Sequence, residues 1–222
     1  MPNMVGDESP LHGTGWLGRW EVVSQSEREA VLVYRHPAAE WPWRFEAVQT
    51  FALDTDGLAV TLACRNLSPE PMPCGLGLHP YYPCDADTVL DTEVASAWTI
   101  DAAVLPVSKV PATGRFDLRN RRICGQGLDN GFDGWSGEAR VAWPDRRAEL
   151  RLTSPDASRF QVYAPVSGSF FAAEPVQNAN AALNEPQSRW PELGITRLQQ
   201  GEQAAIHARF NVVLRHGDGR RR

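Results

Sequence analysis

Apolar and polar residues alternate with a period of two in several stretches of this chain, and this pattern constrains the fold more than any other feature. In residues 58–65, apolar positions alternate with small or polar ones, and "DTDG" joins this run to the preceding "FEAVQTFAL". That arrangement predicts a β-hairpin. The alternation recurs in residues 148–153 and 206–214. Since successive side chains of a strand point to opposite faces, these segments are predicted to be strands with one buried face.

The segments between these runs are rich in turn-forming residues. The clusters "NLSPEPMP", "TSPDAS" and "PVSGS" fit short connections of an antiparallel sandwich, and the chain has 18 glycines and 17 prolines but no convincing amphipathic helix. No repeat or linker divides the 222 residues. We therefore predict an all-β fold, a large antiparallel β-sandwich, as one domain over residues 1–222. Disorder is expected only in the first few residues and in the tail at about 216–222.

Charge and hydropathy argue against several classes of partner. The formal net charge is −5, and the only dense basic run is the terminal "RHGDGRRR", so nucleic acid is not expected to bind. No apolar run reaches the length of a membrane span, and "MPNMVGDESP" lacks the features of a secretion signal. We expect a cytoplasmic protein that does not bind membranes, whose oligomeric state the sequence leaves open.

The four cysteines, Cys64, Cys74, Cys84 and Cys124, are widely spaced. There is no CxxC and no histidine pair at metal-ligand spacing, so neither a zinc site nor a redox motif is indicated. We interpret the cysteines as reduced, structural thiols. A disulfide stays possible, although a chain of this size does not need one in order to fold.

Two stretches combine a titratable side chain with a restricted backbone. In "PCGLGLHPYYPCD", His79 follows glycines and precedes a proline and two tyrosines; in "FFAAEPVQNANAALN", Glu174 stands between an apolar run and Pro175. Because proline cannot donate to a sheet ladder, a strand is expected to end close to Glu174. Each residue could instead be structural, His79 as a packed turn histidine and Glu174 as a strand-end carboxylate.

Two further stretches are weaker candidates. "SPLHGTGWLGRW" places His12 among small residues and tryptophans, and "GQGLDNGFDGWSG" carries Asp129 and Asp133, which could also serve only as turn residues. The nucleophile elbow, the P-loop and H-E-x-x-H are all missing from the sequence, and no G-x-G-x-x-G follows a predicted strand. The remaining chemistry is general acid and base catalysis by histidine and carboxylate on a β-scaffold.

Taken in order, "LHGTGW", "GLGLHPYY", "LDNGFDGW" and "VYAPVSGSFFAAEPVQNANAALN" resemble the aldose 1-epimerase (galactose mutarotase) family over about residues 10 to 185. The resemblance implies a large antiparallel β-sandwich and the interconversion of α and β anomers of a free aldose. It implies no metal and no organic cofactor. The His and Glu segments are its most specific parts.

The resemblance also implies roles for individual residues. His79 would be the general acid that protonates the ring oxygen, and Glu174 the general base that takes the proton of the C1 hydroxyl. The two should face one cleft, about a sugar ring's width apart. Further residues would bind the sugar: His12 at ring hydroxyls or ring oxygen, Asp129 rather than Asp133 at hydroxyls, and Trp16, Tyr81 or Trp135 at the apolar face.

One departure from the family pattern concerns the start of the chain. Family members usually carry several strands before the LHG segment, with an Asn-Arg pair whose arginine helps to hold the sugar. Here only about ten residues precede that segment, and "RNRR" at 119–122 lies in the wrong place. The chain could be a fragment, could have a misassigned start, or could be a paralogue that lost part of the site. Missing strands would leave a sheet edge exposed.

Three functions follow as hypotheses. The first is a mutarotase for a free aldose; the second is a non-catalytic sugar-binding module or sensor. The third, a hexose-phosphate mutarotase, needs a basic cluster near the pocket, and Arg19, Arg44 and Arg65 are dispersed in the sequence. A purely structural role would leave the order of the four segments unexplained.

Overall fold

The computed structural model describes residues 11–214 and is almost entirely β-structure. Its helical content in that range is three single 3-10 turns, at Gly114–Phe116, Ala182–Asn184 and Gln187–Arg189. None of the described helices is long and apolar enough to cross a membrane. The predicted all-β antiparallel sandwich is confirmed.

Seventeen strands follow one another along the described residues. The first nine are β1 (Glu21–Gln25), β2 (Glu29–Pro37), β3 (Arg44–Leu53), β4 (Leu58–Asn66), β5 (Met72–Cys74), β6 (Tyr81–Pro83), β7 (Val89–Thr92), β8 (Ser96–Ile100) and β9 (Pro106–Pro111). The others are β10 (Arg121–Arg122), β11 (Leu128–Asp133), β12 (Glu138–Trp143), β13 (Ala148–Thr153), β14 (Arg159–Ala164), β15 (Phe170–Val176), β16 (Thr196–Leu198) and β17 (Gln203–Leu214).

The strands form two large sheets and one small one. The larger sheet has nine strands in the order β1-β2-β3-β4-β17-β13-β12-β7-β10, and the second has six in the order β6-β15-β14-β11-β8-β9. Strands β16 and β5 form a separate pair. Neighbouring strands pair antiparallel throughout the described ladders, as short connections allow.

The main hydrophobic core lies between the two large sheets. Val141, Leu152 and Ile206 of the nine-stranded sheet share one buried cluster with Phe160 and Phe171 of the six-stranded sheet. Strands with one apolar face must bury that face, and the two sheets do so by packing against each other. It holds the six-stranded sheet, on which the candidate site is built, against a rigid support.

The predicted hairpin is confirmed as β3 and β4, which pair from Phe45 with Asn66 to Leu53 with Leu58. In its turn, the Asp54 carboxylate accepts hydrogen bonds from the backbone N–H groups of Asp56 and Gly57. This is the local bonding that makes aspartate favourable in turns. The "DTDG" sequence therefore ends one strand and starts the next.

Two apolar segments differ from the simple pattern of one buried face. In β17, Ile206 is buried, but Val212 is exposed, although it pairs with the buried Leu150 of β13. All residues of β1 are exposed, and this strand is one edge of the nine-stranded sheet.

The prediction that all four cysteines are reduced is wrong for two of them. Cys84 and Cys124 form a disulfide, with their Cα atoms 5.7 Å apart, while Cys64 and Cys74 are free and buried. The sequence does not identify the pair, because Cys84 and Cys124 lie 40 residues apart and meet only once the sheets have formed. The bond ties the chain directly after β6 to the chain just before β11.

Removal of this disulfide should lower the stability of the protein. For a closed loop of this length, the loss of denatured-state constraint corresponds to about 3 to 4 kcal/mol. We expect the double substitution Cys84→Ser, Cys124→Ser to reduce the free energy of unfolding by that order, measured by denaturant titration. Reductant should shift the wild-type midpoint toward that of the double variant and leave the variant unchanged. An unaltered wild-type midpoint under reductant would contradict the prediction.

Candidate active site

Three neighbouring strands of the six-stranded sheet bring polar side chains to one face. Gln161 of β14 lies directly opposite Glu174 of β15 on one side and Gly131 of β11 on the other. Side chains that lie opposite each other in an antiparallel sheet share a face, and so do residues two apart in one strand. Asp129, two residues before Gly131, therefore joins Gln161 and Glu174 on the same surface.

The chain before β6 places a histidine against this surface. Strand β6 pairs with residues 170–172 of β15. Nearer the end of β15, the Pro175 carbonyl oxygen accepts a hydrogen bond from the backbone N–H of Leu78 at 3.1 Å. The segment between these two attachments carries His79 alongside Glu174. Strand β15 ends at Val176, one residue beyond Pro175, close to where the sequence predicts.

His79 and Glu174 are in direct contact. The Nε2 atom of His79 lies 3.3 Å from Oε1 of Glu174, whose side chain is only 7% exposed, compared with 27% for His79. The structure thus places the two groups closer together than the sugar ring's width expected from sequence.

Aromatic rings surround His79 on two sides. Tyr81 stacks on its imidazole with ring centroids 4.6 Å apart, and His12 meets it edge-on at 4.8 Å. His12 has a φ of 54°, in the left-handed region that non-glycine residues rarely adopt. Such backbone strain is often found at functional sites, and here it accompanies the approach of His12 to His79.

Burial shifts the pKa values of both contacting groups. Burial, together with the smaller effect of the negative charge of Asp129, raises the pKa of Glu174 to about 8. Burial lowers the pKa of His79, and the neighbouring His12 ring lowers it as well. Because burial disfavours the charged forms of both groups, it favours a neutral His79 imidazole and a protonated Glu174 carboxyl group.

Asp129 and His12 form a second pair at the site. Burial raises the pKa of Asp129, opposed by a hydrogen bond from Gln161 and by the nearby His12. Burial lowers the pKa of His12, opposed by the charge of Asp129. The site therefore holds two histidines and two carboxylates that influence one another electrostatically.

One amide side chain bonds to Asp129 directly, and a second bonds to the first. Gln161 Nε2 donates to Asp129 Oδ1 at 2.9 Å, and Asn180 Nδ2 donates to Gln161 Oε1 at 3.2 Å. Gln161 is not among the residues predicted from sequence, although a polar residue inside the apolar strand "RFQVYA" is a signal. Residues 178–184 contain several amides, and the sequence alone does not distinguish Asn180 among them.

The candidate sugar-contacting aromatics divide into two groups. Trp16 is 45% exposed and meets the His12 ring edge-on, and Tyr81 is 61% exposed beside His79. Trp135, in contrast, is buried: it stacks on Phe160 at 4.6 Å, and its Nε1 donates to Thr92 Oγ1 at 2.8 Å. The structure does not place Trp135 in the cluster, because its ring fills the core.

The charged alternatives considered from sequence lie in other contacts. Asp133 pairs with Lys109 and with Arg159, the latter at 2.9 Å, so it is held by cations while Asp129 faces His12. Arg119 pairs with Asp117, and Arg121 donates to Gln126. The residues that the structure brings together are thus His12, Trp16, His79, Tyr81, Asp129 and Glu174.

The raised pKa of Glu174 predicts a pH-dependent difference in stability between the wild type and Glu174→Gln. The folded-state pKa lies above that of the unfolded chain, so the contribution of the carboxyl group is fully present below about pH 4.3 and is lost as pH rises to about 8. We expect the variant to gain on the wild type by about 1 kcal/mol per pH unit across that window. Urea titrations at pH 5, 6, 7 and 8 measure this; a constant difference would contradict a raised pKa.

Sequence comparison relates the chain to known proteins. The family model for aldose 1-epimerase matches residues 2–210. An uncharacterized protein of Escherichia coli K12, YphB, is 31% identical over 197 residues, which are 84% of this chain and 67% of that protein.

Structure comparison gives the same relationship. A candidate aldose 1-epimerase from Escherichia coli K12 aligns with a TM-score of 0.86 at 27% identity, over 97% of this chain and 75% of that one. A galactose mutarotase-like protein from Clostridium acetobutylicum aligns with a TM-score of 0.77 at 16% identity, over 89% and 67%. At such low identity, the second likeness shows the fold alone.

Proposed function

The chain belongs to the aldose 1-epimerase family, and we propose that it interconverts the α and β anomers of a free aldose. The observation that supports this most directly is the contact between His79 and Glu174 at 3.3 Å on a partly buried surface. A histidine in contact with a carboxyl group whose pKa is raised to about 8 provides the titratable donor and acceptor that general acid and base catalysis requires.

In the proposed reaction, the pair moves protons between two oxygens of one carbon. His79 donates a proton to the ring oxygen while Glu174 takes the proton of the C1 hydroxyl, and the bond between C1 and the ring oxygen breaks to give the aldehyde. After rotation about the C1–C2 bond, Glu174 returns its proton to the aldehyde oxygen. His79 removes one from the attacking hydroxyl, and the ring closes on the other face.

The side-by-side placement fits this chemistry. Since the ring oxygen and the C1 hydroxyl are bonded to the same carbon, a donor and an acceptor that address them can be neighbours. Ring opening leaves His79 neutral and Glu174 protonated, which is the form that burial of the two groups favours. The site would thus stabilise the open-chain stage relative to the charged pair.

The remaining groups would hold the sugar. Asp129 is placed to accept hydrogen bonds from hydroxyls, and His12 to contact the ring oxygen or a hydroxyl. Exposed ring surface on Trp16 and Tyr81 could pack against the apolar face of a pyranose. No step needs a metal or an organic cofactor.

Substitution of either member of the pair tests the proposal. We expect His79→Ala and Glu174→Gln each to reduce mutarotation of galactose or glucose by about 10² to 10⁴, followed by polarimetry. His207→Ala is a matched control, because His207 is exposed and pairs with Asp156 away from this cluster. Full activity in either site variant, with folding confirmed by circular dichroism, would refute the assigned roles.

The two alternative functions give different results in the same assays. A non-catalytic sugar-binding module would bind sugar saturably by calorimetry without accelerating mutarotation. A hexose-phosphate mutarotase would prefer glucose 6-phosphate over glucose, yet Lys109 and Arg159 of the six-stranded sheet are both committed to Asp133. We therefore expect glucose 6-phosphate to be the poorer substrate.

The pH dependence of the reaction follows from the shared proton. The pair must hold one proton, so kcat/KM should fall as pH rises through about 8, where the last proton is lost. On the acid side, it should fall only below the ordinary histidine pKa of 6.5, because burial lowers the pKa of His79. Initial rates corrected for the uncatalysed reaction from pH 5 to 9.5 measure both limbs. A profile that still rises above pH 9 would contradict the proposal.

A further inference from the structure

A chain of two amides leads from the loop after β15 to the carboxylate of Asp129. Asn180 donates to Gln161 at 3.2 Å, and Gln161 donates to Asp129 at 2.9 Å. Two neighbouring amides bond elsewhere: Gln177 Nε2 donates to the Ala205 carbonyl oxygen, and Asn178 Nδ2 to that of Ala179. Asn180 is thus the amide of the loop with a bond directed toward the site.

The direction of this chain is fixed by chemistry. An ionised carboxylate only accepts hydrogen bonds, so the amide group of Gln161 must present its nitrogen to Asp129 and its oxygen away from it. The oxygen of Gln161 then needs a donor, and Asn180 provides one. Each link in the chain therefore depends on the next for a matched donor and acceptor.

Packing makes the orientation of Gln161 consequential. Gln161 is 8% exposed, so water can do little to satisfy its amide if a partner is lost. Gly131, opposite it on β11, leaves the room: a Cβ atom there would lie 3.3 Å from Gln161 Oε1. If the amide of Gln161 turned over, its oxygen would replace its N–H group beside the Asp129 carboxylate. The electrostatic environment of Asp129 would change strongly, as would that of Glu174 across the ladder.

We propose that Asn180 is a positioning residue, which fixes the amide of Gln161 and through it the orientation of Asp129. The proposal rests on the proposed function in that Asp129 is taken to hold sugar hydroxyls. Asn180 itself need not touch the sugar. Its contribution is to keep the donor side of Gln161 facing the carboxylate.

Asn180→Asp tests this, because it replaces the donor by an acceptor of the same shape. Above neutral pH the introduced carboxylate repels Gln161 Oε1, the bond to Asp129 weakens, and KM for the sugar should rise about 10-fold with a smaller change in kcat. As pH falls toward the ordinary aspartate pKa of about 3.9, the introduced group begins to be protonated and can donate again, so the KM ratio to wild type should fall. Asn180→Ala should raise KM without this recovery.

The matched control is Asn184→Asp, which adds the same charge to an exposed position of the same loop. It separates the local contact from a general effect of negative charge on the titratable groups of the site, His12, His79, Asp129 and Glu174. The same control covers Asp133 and Arg159, which line one cavity with Asn180 and Gln161. We expect its KM to equal that of the wild type at every pH. Equal KM increases in Asn184→Asp and Asn180→Asp, or wild-type KM in both Asn180 variants, would overturn the proposal.

A second measurement keeps the inference separate from the proposed function. The hydrogen bond from Gln161 opposes the burial that raises the pKa of Asp129. In Asn180→Ala the Asp129 carboxyl, followed by carbon-13 NMR, should therefore titrate at higher pH than in the wild type. An unchanged titration would refute the role of Asn180. A wild-type protein that leaves mutarotation unaccelerated would refute the proposed function alone, because the NMR shift does not depend on catalysis.

Discussion

The register among β11, β14 and β15 determines the position of each sheet-borne polar group of the candidate site. Because Gln161 lies opposite both Glu174 and Gly131, one carboxylate falls on each side of it and both on one face. A slip of one residue in either ladder would turn the slipped strand's polar groups to the other face and its apolar neighbours outward. The buried Phe160 and Val162, which flank Gln161 and face the core, make such a slip costly.

Burial of Glu174 on this sheet disfavours its ionised form and thereby raises its pKa. Glu174 lies in a strand whose neighbours Ala173 and Pro175 are buried, and its pKa rises because its charged form is poorly solvated. A carboxyl group at the surface would titrate near 4 and would be a weak base at neutral pH. The same burial that disfavours the folded state at high pH thus gives Glu174 proton affinity in the range where it can both accept and return a proton.

The sequence predicted the parts of the fold that depend on local pattern. The alternation in residues 45–65 predicted β3 and β4, and the HPYY and EP segments marked His79 and Glu174, which the structure brings together. The sequence did not predict what depends on distant pairing. The Cys84–Cys124 bond, the role of Gln161 beside Asp129 and the burial of Trp135 all follow from which strands are neighbours, and period-two patterns do not give strand order.

The histidine of the candidate site lies two residues before a short edge strand of the six-stranded sheet. Strand β6 is a three-residue edge strand, paired only with β15, and an edge of this length is weakly held by its ladder alone. Other contacts compensate: Trp143 Nε1 donates to the Pro83 carbonyl oxygen at 2.8 Å, and Tyr82 stacks on the buried Phe171. The Cys84–Cys124 disulfide adds a covalent tie from the end of this strand to the chain entering β11, which carries Asp129. These contacts hold the chain at Tyr82, Pro83 and Cys84, and the bond from the Leu78 N–H to the Pro175 carbonyl oxygen holds the chain just before His79. His79 is thus anchored on both sides, as a group that moves protons between fixed positions requires.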